Sequence, residues 1–274
     1  MEKDFRVLCN QIRIEKGKKE MQKYLLECCV DSVESAIAAQ KGGADRLELC
    51  GNLIIGGTTP SVELYRAVRK NTDIPIHVLL RPRFGDFLYT AYELEILYEE
   101  VKLFSSEGAD GLVIGCLKPD GELDIEAMKR MIELGKGRKI TLHRAFDVCN
   151  NPLKALEQAI ELGVDTILTS GQENSCMKGM DLLNTLQKKI EEEKQSICIM
   201  AGGGVNAQVI KSFLEKTSLS TFHMSGKITI PSGMIYRNER VNMGLQGISE
   251  YEIWRTEEEN IKKAKDVLKG NRTN

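Results

Sequence analysis

Acidic, imidazole and thiol side chains recur inside short apolar runs that have the length of β-strands. Glu27 and Cys29 lie in YLLECCV, Glu48 and Cys50 lie in RLELC, and His77 lies in IPIHVLLR. Such groups are costly to bury unless they are paired or bind a ligand. Together they indicate a functional cavity, in which carboxylates and imidazoles could transfer protons and paired thiolates could bind a soft metal ion.

Eight strand-like runs must position these side chains, and they alternate with segments of helical period. The runs cover residues 24–30, 46–50, 74–81, 111–117, 139–145, 166–170, 197–203 and 220–226. The phrases GGADRLEL, EGADGLVI and LGVDTILT repeat one pattern at the size of a βα unit. We therefore predict an α/β protein with a (β/α)8 TIM barrel, in which helices surround parallel strands. A Rossmann sheet is disfavoured because no G-x-G-x-x-G follows the first strand.

The barrel is predicted to occupy most of the chain as a single domain at residues 23–274. Residues 1–22 carry mixed charge and no clear hydrophobic period, so they are expected to form an N-terminal extension. A flexible tail is one interpretation of that extension.

Composition excludes several classes of partner. The 38 Lys and Arg residues face 40 Asp and Glu residues, which gives a net charge of −2 and no basic field for nucleic acid. The apolar runs are too short to span a membrane, so a cytoplasmic protein is expected. Eight scattered cysteines favour reduced core thiols or soft metal ligands over a disulfide framework.

Alternation along the strands predicts which polar side chains face the barrel interior. The predicted inward set is Glu27, Cys29, Glu48, Cys50, His77, Arg81, Thr141, His143, His223 and Ser225. In one interpretation Glu27 and Glu48 are only structural partners of Arg81 and Arg46. In the other they belong to a site, which we favour because buried ionisable clusters are enriched at functional sites.

An enzyme acting on a small anionic or phosphorylated metabolite is one hypothesis. Glu27, Glu48 and His143 would be its acid and base groups, and Arg81 would hold the anion. In HRAFD, Arg144 and Asp147 could orient the ring of His143 or bind the anion. A metal-assisted version would use His77, His143 and His223 with a glutamate.

Glycines after the late strands suggest where a phosphate could bind. The backbone amides of Gly202, Gly203 and Gly204 follow the seventh strand, where many TIM barrels bind phosphate. Ser225 after the eighth strand and Ser170 after the sixth could add donors on the same rim. The alternative is a tight turn that needs glycine for its positive φ.

Cys29 and Cys50 share the inward parity on adjacent strands, and paired thiolates select Cu(I) or Zn(II). Because cysteine is also common in protein cores, packing is the alternative role.

A set of segments resembles the CutC family, the copper homeostasis protein CutC group. In order, these are LECCVDSVESAIAAQKGGADRLELC, GGTTPS, IPIHVLLRPRFGDFLY, TLHRAFDVCNNP, TSGQ, AGGGV, FHMSGK and SGMIYRN. The resemblance implies a TIM barrel, cytoplasmic copper handling, and Cys29 and Cys50 as Cu(I) ligands, with copper(I) as the bound cofactor. The sequence departs from the family at its N-terminal extension and within FHMSGK.

The sequence therefore favours a cytosolic, CutC-like copper homeostasis protein that binds Cu(I) through paired thiolates. The enzyme of a small anionic metabolite is the alternative, and whether the chain catalyses a reaction is left open. A homo-oligomer is expected, and a non-catalytic assembly module is a third interpretation.

Overall fold

Eight parallel strands close into a barrel in a computed structural model that describes residues 24–238, 240–244 and 247–271. Each strand pairs with the next, and β1 pairs with β8 to close the barrel. The strands are β1 Leu25–Val30, β2 Arg46–Leu49, β3 Ile76–Leu79, β4 Gly111–Ile114, β5 Lys139–Leu142, β6 Thr166–Thr169, β7 Cys198–Ala201 and β8 Thr221–Met224. The TIM-barrel prediction is confirmed. The predicted extension at residues 1–22 lies outside the described residues.

Helices follow the strands and surround the barrel. They are α1 Val33–Lys41, α2 Val62–Asn71, α3 Ala91–Ser106, α4 Ile125–Leu134, α5 Pro152–Glu161, α6 Met180–Glu192, α7 Ala207–Lys216 and α8 Glu258–Gly270. Ser32, Ser61, Asp124 and Asn151 each accept a backbone N–H in the first turn of a helix. These caps satisfy amides that otherwise have no partner, which explains why the helices begin there. No helix of the described chain is long and apolar enough to cross a membrane.

A small antiparallel sheet outside the barrel was not predicted. It pairs β9 Lys227–Pro231 with β10 Glu252–Thr256. The backbone N–H of Thr256 donates to Ser35 Oγ, and the Thr256 hydroxyl donates to the carbonyl of Ser225, so the sheet is tied to α1 and to the end of β8. The single domain predicted at residues 23–274 stays a prediction, and its ends lie outside the described residues.

The strands bury both of their faces, as expected for a parallel barrel. Alternate residues such as Leu26, Cys28 and Val30 belong to the main apolar core beneath the helices. The intervening residues point into the barrel, where Cys29, Cys50, Leu79 and Val113 form a separate apolar cluster.

Gly111, in β4, and Gly115, which directly follows β4, leave space for imidazole rings inside the barrel. A Cβ atom on Gly111 would lie 2.5 Å from His77 Nε2, and one on Gly115 would lie 2.5 Å from His143 Cε1. Real Cβ atoms do not approach other atoms so closely. The absence of a side chain at these positions therefore allows both rings to be buried.

We expect Gly111→Ala to lower the free energy of unfolding by about 1–3 kcal/mol, because the new methyl group would overlap the His77 ring. Urea denaturation measures the change. In a His77→Ala background the same substitution should cost much less, since the ring is gone. Equal costs in the two backgrounds would contradict this packing explanation.

Candidate functional site

Glu27 is the most deeply buried charged group inside the barrel. Its carboxylate accepts a hydrogen bond from Arg46 Nε at 2.5 Å and lies 2.8 Å from His223 Nδ1. Arg46 and His223 are also its register partners on β2 and β8. Burial alone would raise the pKa of Glu27, but the charge of Arg46 and the hydrogen bond with His223 outweigh it and lower the pKa to about 2. Glu27 is therefore a carboxylate at neutral pH.

Next to this carboxylate, two thiols and a second glutamate meet. Cys29 Sγ lies 3.7 Å from Cys50 Sγ and donates to Glu48 Oε1 at 3.4 Å. The hydrogen bond with Cys50 and burial raise the pKa of the Cys29 thiol. Burial also raises the pKa of Glu48, and Glu48 Oε2 is buried without a hydrogen-bond partner among the described residues. The pair of thiols predicted from the strand parity is thus present.

His223 borders the same cluster. One ligand atom from each of Cys29, Glu48 and His223 lies within 4.8 Å of the others. Burial would lower the pKa of His223, but the nearby Glu48 charge and the hydrogen bonds with Cys29 and Glu27 raise it well above its usual value. Since Nδ1 faces Glu27, His223 Nε2 is the ring nitrogen left for another partner.

His77 and His143 do not join this group in the described part of the chain. His77 Nδ1 lies 3.4 Å from the Thr141 hydroxyl, and burial lowers the pKa of His77 well below its usual value. The metal site predicted from His77, His143 and His223 together is therefore not assembled.

Arg81 does not pair with the interior glutamates in the described chain, whereas the purely structural interpretation of those residues required such a pairing. Its guanidinium donates to the carbonyls of Gly56, Gly57 and Gly85, and so braces two loops at the barrel mouth. The neighbouring Arg83 instead pairs with Asp86 and Glu93. A guanidinium has five donors, and the carbonyls of these close loops lie within its reach, which explains the difference.

His143 follows β5 and is held by the backbone. Its Nδ1 accepts the N–H of Ala145 at 3.1 Å, while Nε2 is buried with no partner among the described residues. The His143 ring packs against Phe87, with ring centroids 4.8 Å apart. Burial and the charge of Arg81 lower the pKa of His143 to about 3.

Asp147 and Arg144 form a separate rim cluster instead of orienting His143. Asp147 accepts hydrogen bonds from Arg144 Nε, from the hydroxyl and backbone N–H of Ser170, and from Gln172 N–H. Arg144 also donates to the Ser170 hydroxyl at 2.9 Å. The carboxylate is thus occupied by the loop after β6, which corrects its predicted role beside the His143 ring.

The glycines after β7 lie next to this cluster. Gly203 and Gly204 have φ values of +89° and +83°, as the tight-turn alternative requires. A Cβ atom on Gly203 would lie 3.1 Å from the Ser170 Cβ, and one on Gly202 would lie 2.5 Å from Leu168 Cδ1. Gly204 and Ser225 line a depression of about 390 Å³ beside the N-terminus of α7, together with Lys227 and Lys263. Phosphate binding there stays a prediction.

Two residues of the interior received no site role from the sequence. Arg46, considered only as a structural partner, is two residues before Glu48 and shares its inward parity, which is the signal that could have placed it beside Glu27. Tyr89 is buried near Arg81 and Arg83, but it lies in a loop, where no periodicity indicates which way a side chain points.

The neutral state of buried His143 has a consequence for stability. Its pKa in the fold is about 3, whereas an unfolded histidine titrates near its usual value of 6.5. Between these values the unfolded chain binds more protons, so the fold loses stability as the pH falls. We expect His143→Gln to reduce the slope of unfolding free energy against pH by about 1.4 kcal/mol per pH unit in this window. Urea denaturation at several pH values measures the slope, and identical slopes would contradict the assignment.

The chain matches known proteins along most of its length. Residues 24–228 match the model of the CutC family. A CutC family protein of Bacteroides fragilis is 45% identical over 250 residues, which cover 90% of this chain and 97% of the relative. The human copper homeostasis protein cutC homolog is 42% identical over 231 residues, which cover 84% of each protein.

Solved structures agree with the sequence comparison. A CutC structure from Streptococcus agalactiae is similar with a TM-score of 0.69 and 30% identity, covering 74% of this chain and 98% of that one. The thiamine phosphate pyrophosphorylase of Pyrococcus furiosus, at 15% identity and a TM-score of 0.55, covers 90% of this chain and 96% of its own and shares the fold alone. By sequence and by structure, this chain belongs to the CutC family.

Proposed function

We propose that this protein binds Cu(I) through Cys29 and Cys50 and acts in cytoplasmic copper homeostasis. The observation that carries the proposal is the 3.7 Å separation of two buried thiol sulfurs inside the barrel. Relatives from human and mouse that are named copper homeostasis protein cutC homolog support the biological role.

The donor set fits a soft ion. Metal–sulfur bonds measure about 2.3 Å, so sulfurs 3.7 Å apart can both contact one ion without being placed on opposite sides of it. This arrangement leaves room for a third ligand, and His223 and Glu48 are close enough to Cys29 to provide one. The unpartnered Glu48 Oε2 is consistent with a missing partner at this place.

Binding of a cation at this place is coupled to release of protons. The thiol of Cys29 and the ring of His223 both keep their protons at neutral pH because their pKa values are raised, so binding through them must release those protons. The buried carboxylate of Glu27 lies behind His223 and holds its Nδ1, an arrangement that orients many metal-binding histidines. A reducing cytoplasm would keep both the ion and the thiols in the required state.

An enzyme of a small anionic or phosphorylated metabolite is the second candidate function. It is favoured by the buried polar groups of Arg81 and His143 at the mouth of the barrel, where TIM-barrel enzymes place their sites. Glu27 and Glu48 lie with the thiols, and the hydrogen bonds of the described residues join neither of them to His143. A joint acid–base role of the two glutamates with His143 is therefore not part of this proposal. The expected homo-oligomer stays a prediction.

We expect Cys29→Ser and Cys50→Ser each to weaken Cu(I) binding at least about tenfold, since a hydroxyl is a poor ligand for a soft ion. Titration of the reduced protein against a competing Cu(I) chelator measures the affinity. Cys28→Ser is the matched control, because Cys28 is buried on the same strand but belongs to the core beneath the helices. Unchanged affinity in the double variant Cys29→Ser/Cys50→Ser would remove the site.

His223→Gln should weaken Cu(I) binding by about tenfold, because it removes the imidazole that Glu27 orients toward the thiols. His77→Gln is the control, since His77 is also a buried interior imidazole but lies outside the group of Cys29, Glu48 and His223. The same chelator competition measures both variants. Equal losses in the two variants would show that the effect comes from general damage to the interior.

A further inference from the structure

We propose that Arg81, His143 and Tyr89 form a binding site for a small monocarboxylate at the C-terminal mouth of the barrel. We refer to these three residues as the mouth site. The proposal deepens the second candidate function, on which any catalytic meaning of the site rests, and it is independent of copper binding.

Three chain segments bring the mouth site together. Arg81 follows β3, His143 follows β5, and Tyr89 lies in the segment that leads to α3. The ring of Phe87 contacts two of them, with its centroid 4.8 Å from the His143 ring and 4.9 Å from Arg81 Cζ. The phenol of Tyr89 lies close enough to Arg81 for each group to affect the pKa of the other.

Each of the three residues has a buried polar atom with no hydrogen-bond partner. These atoms are Arg81 Nε, His143 Nε2 and Tyr89 Oη, within the part of the chain that the structure describes. The three residues are only 8%, 4% and 8% exposed. Folded proteins leave few such groups unpaired, because each costs about 1–3 kcal/mol. Two of these side chains contact the ring of Phe87, and the third lies beside Arg81, so the three unpaired atoms point to a bound molecule that pairs with them.

The three atoms are all donors. His143 Nδ1 accepts a backbone N–H, so the proton of the neutral ring is on Nε2. The lowered pKa of His143 keeps the ring neutral at pH 7. Arg81 contributes an N–H, and Tyr89 contributes a hydroxyl. A group that presents only oxygen acceptors is the ligand that such a site recognises.

The charge of the mouth site favours some oxygen ligands over others. Arg81 supplies a buried positive charge that pairs with no carboxylate among the described residues, whereas the neighbouring Arg83 is paired with Asp86 and Glu93. A single carboxylate balances Arg81, but a phosphate dianion would leave one negative charge buried without a partner. The ring of Phe87 offers an apolar wall for a short carbon substituent. A small monocarboxylate therefore fits better than a phosphate.

The mouth site shares no hydrogen bond with the thiols within the described part of the chain. Arg81 and His143 are hydrogen-bonded to Gly56, Gly57, Thr59, Gly85, Ile114, Phe146 and Ala145, none of which belongs to the Cys29 group. Loss of copper binding and loss of carboxylate binding can therefore be produced by different substitutions.

Titration of the metal-free protein with acetate tests the proposal. With histidine nitrogens labelled, NMR should show a saturable shift at His143 Nε2, with a dissociation constant of about 1 mM for so small a ligand. Chloride at the same ionic strength should give no saturable shift. Inorganic phosphate should bind more weakly than acetate at neutral pH. The absence of saturable acetate binding would overturn the site, and tighter binding of phosphate would overturn its assignment to a monocarboxylate.

Substitutions locate the binding. Tyr89→Phe removes one hydroxyl and should weaken acetate binding about fivefold, as expected for one hydrogen bond to a charged group. Tyr65→Phe is the matched control, because Tyr65 is a tyrosine of α2 that is buried in the main core. Cys29→Ser/Cys50→Ser should leave acetate binding unchanged. Equal affinity in Tyr89→Phe and the wild type would place acetate elsewhere and contradict the proposal, whatever the result for copper.

Discussion

One buried negative charge organises the interior of this barrel. Glu27 is fully buried and remains ionised, which is possible only because Arg46 and His223 meet it from the two strands that flank β1. Since β8 closes the barrel against β1, the Glu27–His223 contact lies across the closure itself. A buried carboxylate without such partners would cost several kcal/mol. The same contacts fix the ring of His223 beside the thiols, so the electrostatics of the fold also prepare the candidate metal site.

The packing of side chains inside the barrel is a second constraint on the site. A barrel that only supports its helices fills its interior with branched apolar side chains. Here Leu79 and Val113 supply that packing next to the two thiols. Gly111 and Gly115 have no side chain, and the space beside them is filled by the imidazole rings of His77 and His143. The hydrogen bond with Cys50 and burial together raise the pKa of the Cys29 thiol. The glycines explain how rings as large as His77 and His143 are buried without displacing β4.

The sequence predicted the barrel and the inward parity because both follow from periodicity, which is a local property. Glu27, Cys29, Glu48, Cys50 and His77 all lie inside, as their positions on the strands indicated. Parity says nothing about which inward groups touch. Arg46 and not Arg81 pairs with Glu27 because of the register between β1 and β2. Asp147 accepts hydrogen bonds from Ser170 because the loop after β6 passes close to it at the rim. Tyr89 lies in a loop, where no period exists, and β9 and β10 pair across a long sequence separation.

The thiol cluster and the mouth site lie at different depths along the barrel, so one barrel has room for both proposed sites. Leu79 and Val113 precede Arg81 and Gly115 by two residues on their strands, so an apolar layer lies one step deeper than the mouth site. The positive charge of Arg81 has no carboxylate partner among the described residues, while Arg46 and His223 pair with Glu27 below. The sulfur site proposed for the interior and the oxygen site proposed for the rim can share the same eight strands, because residues two positions apart along a strand face the same way but differ in depth.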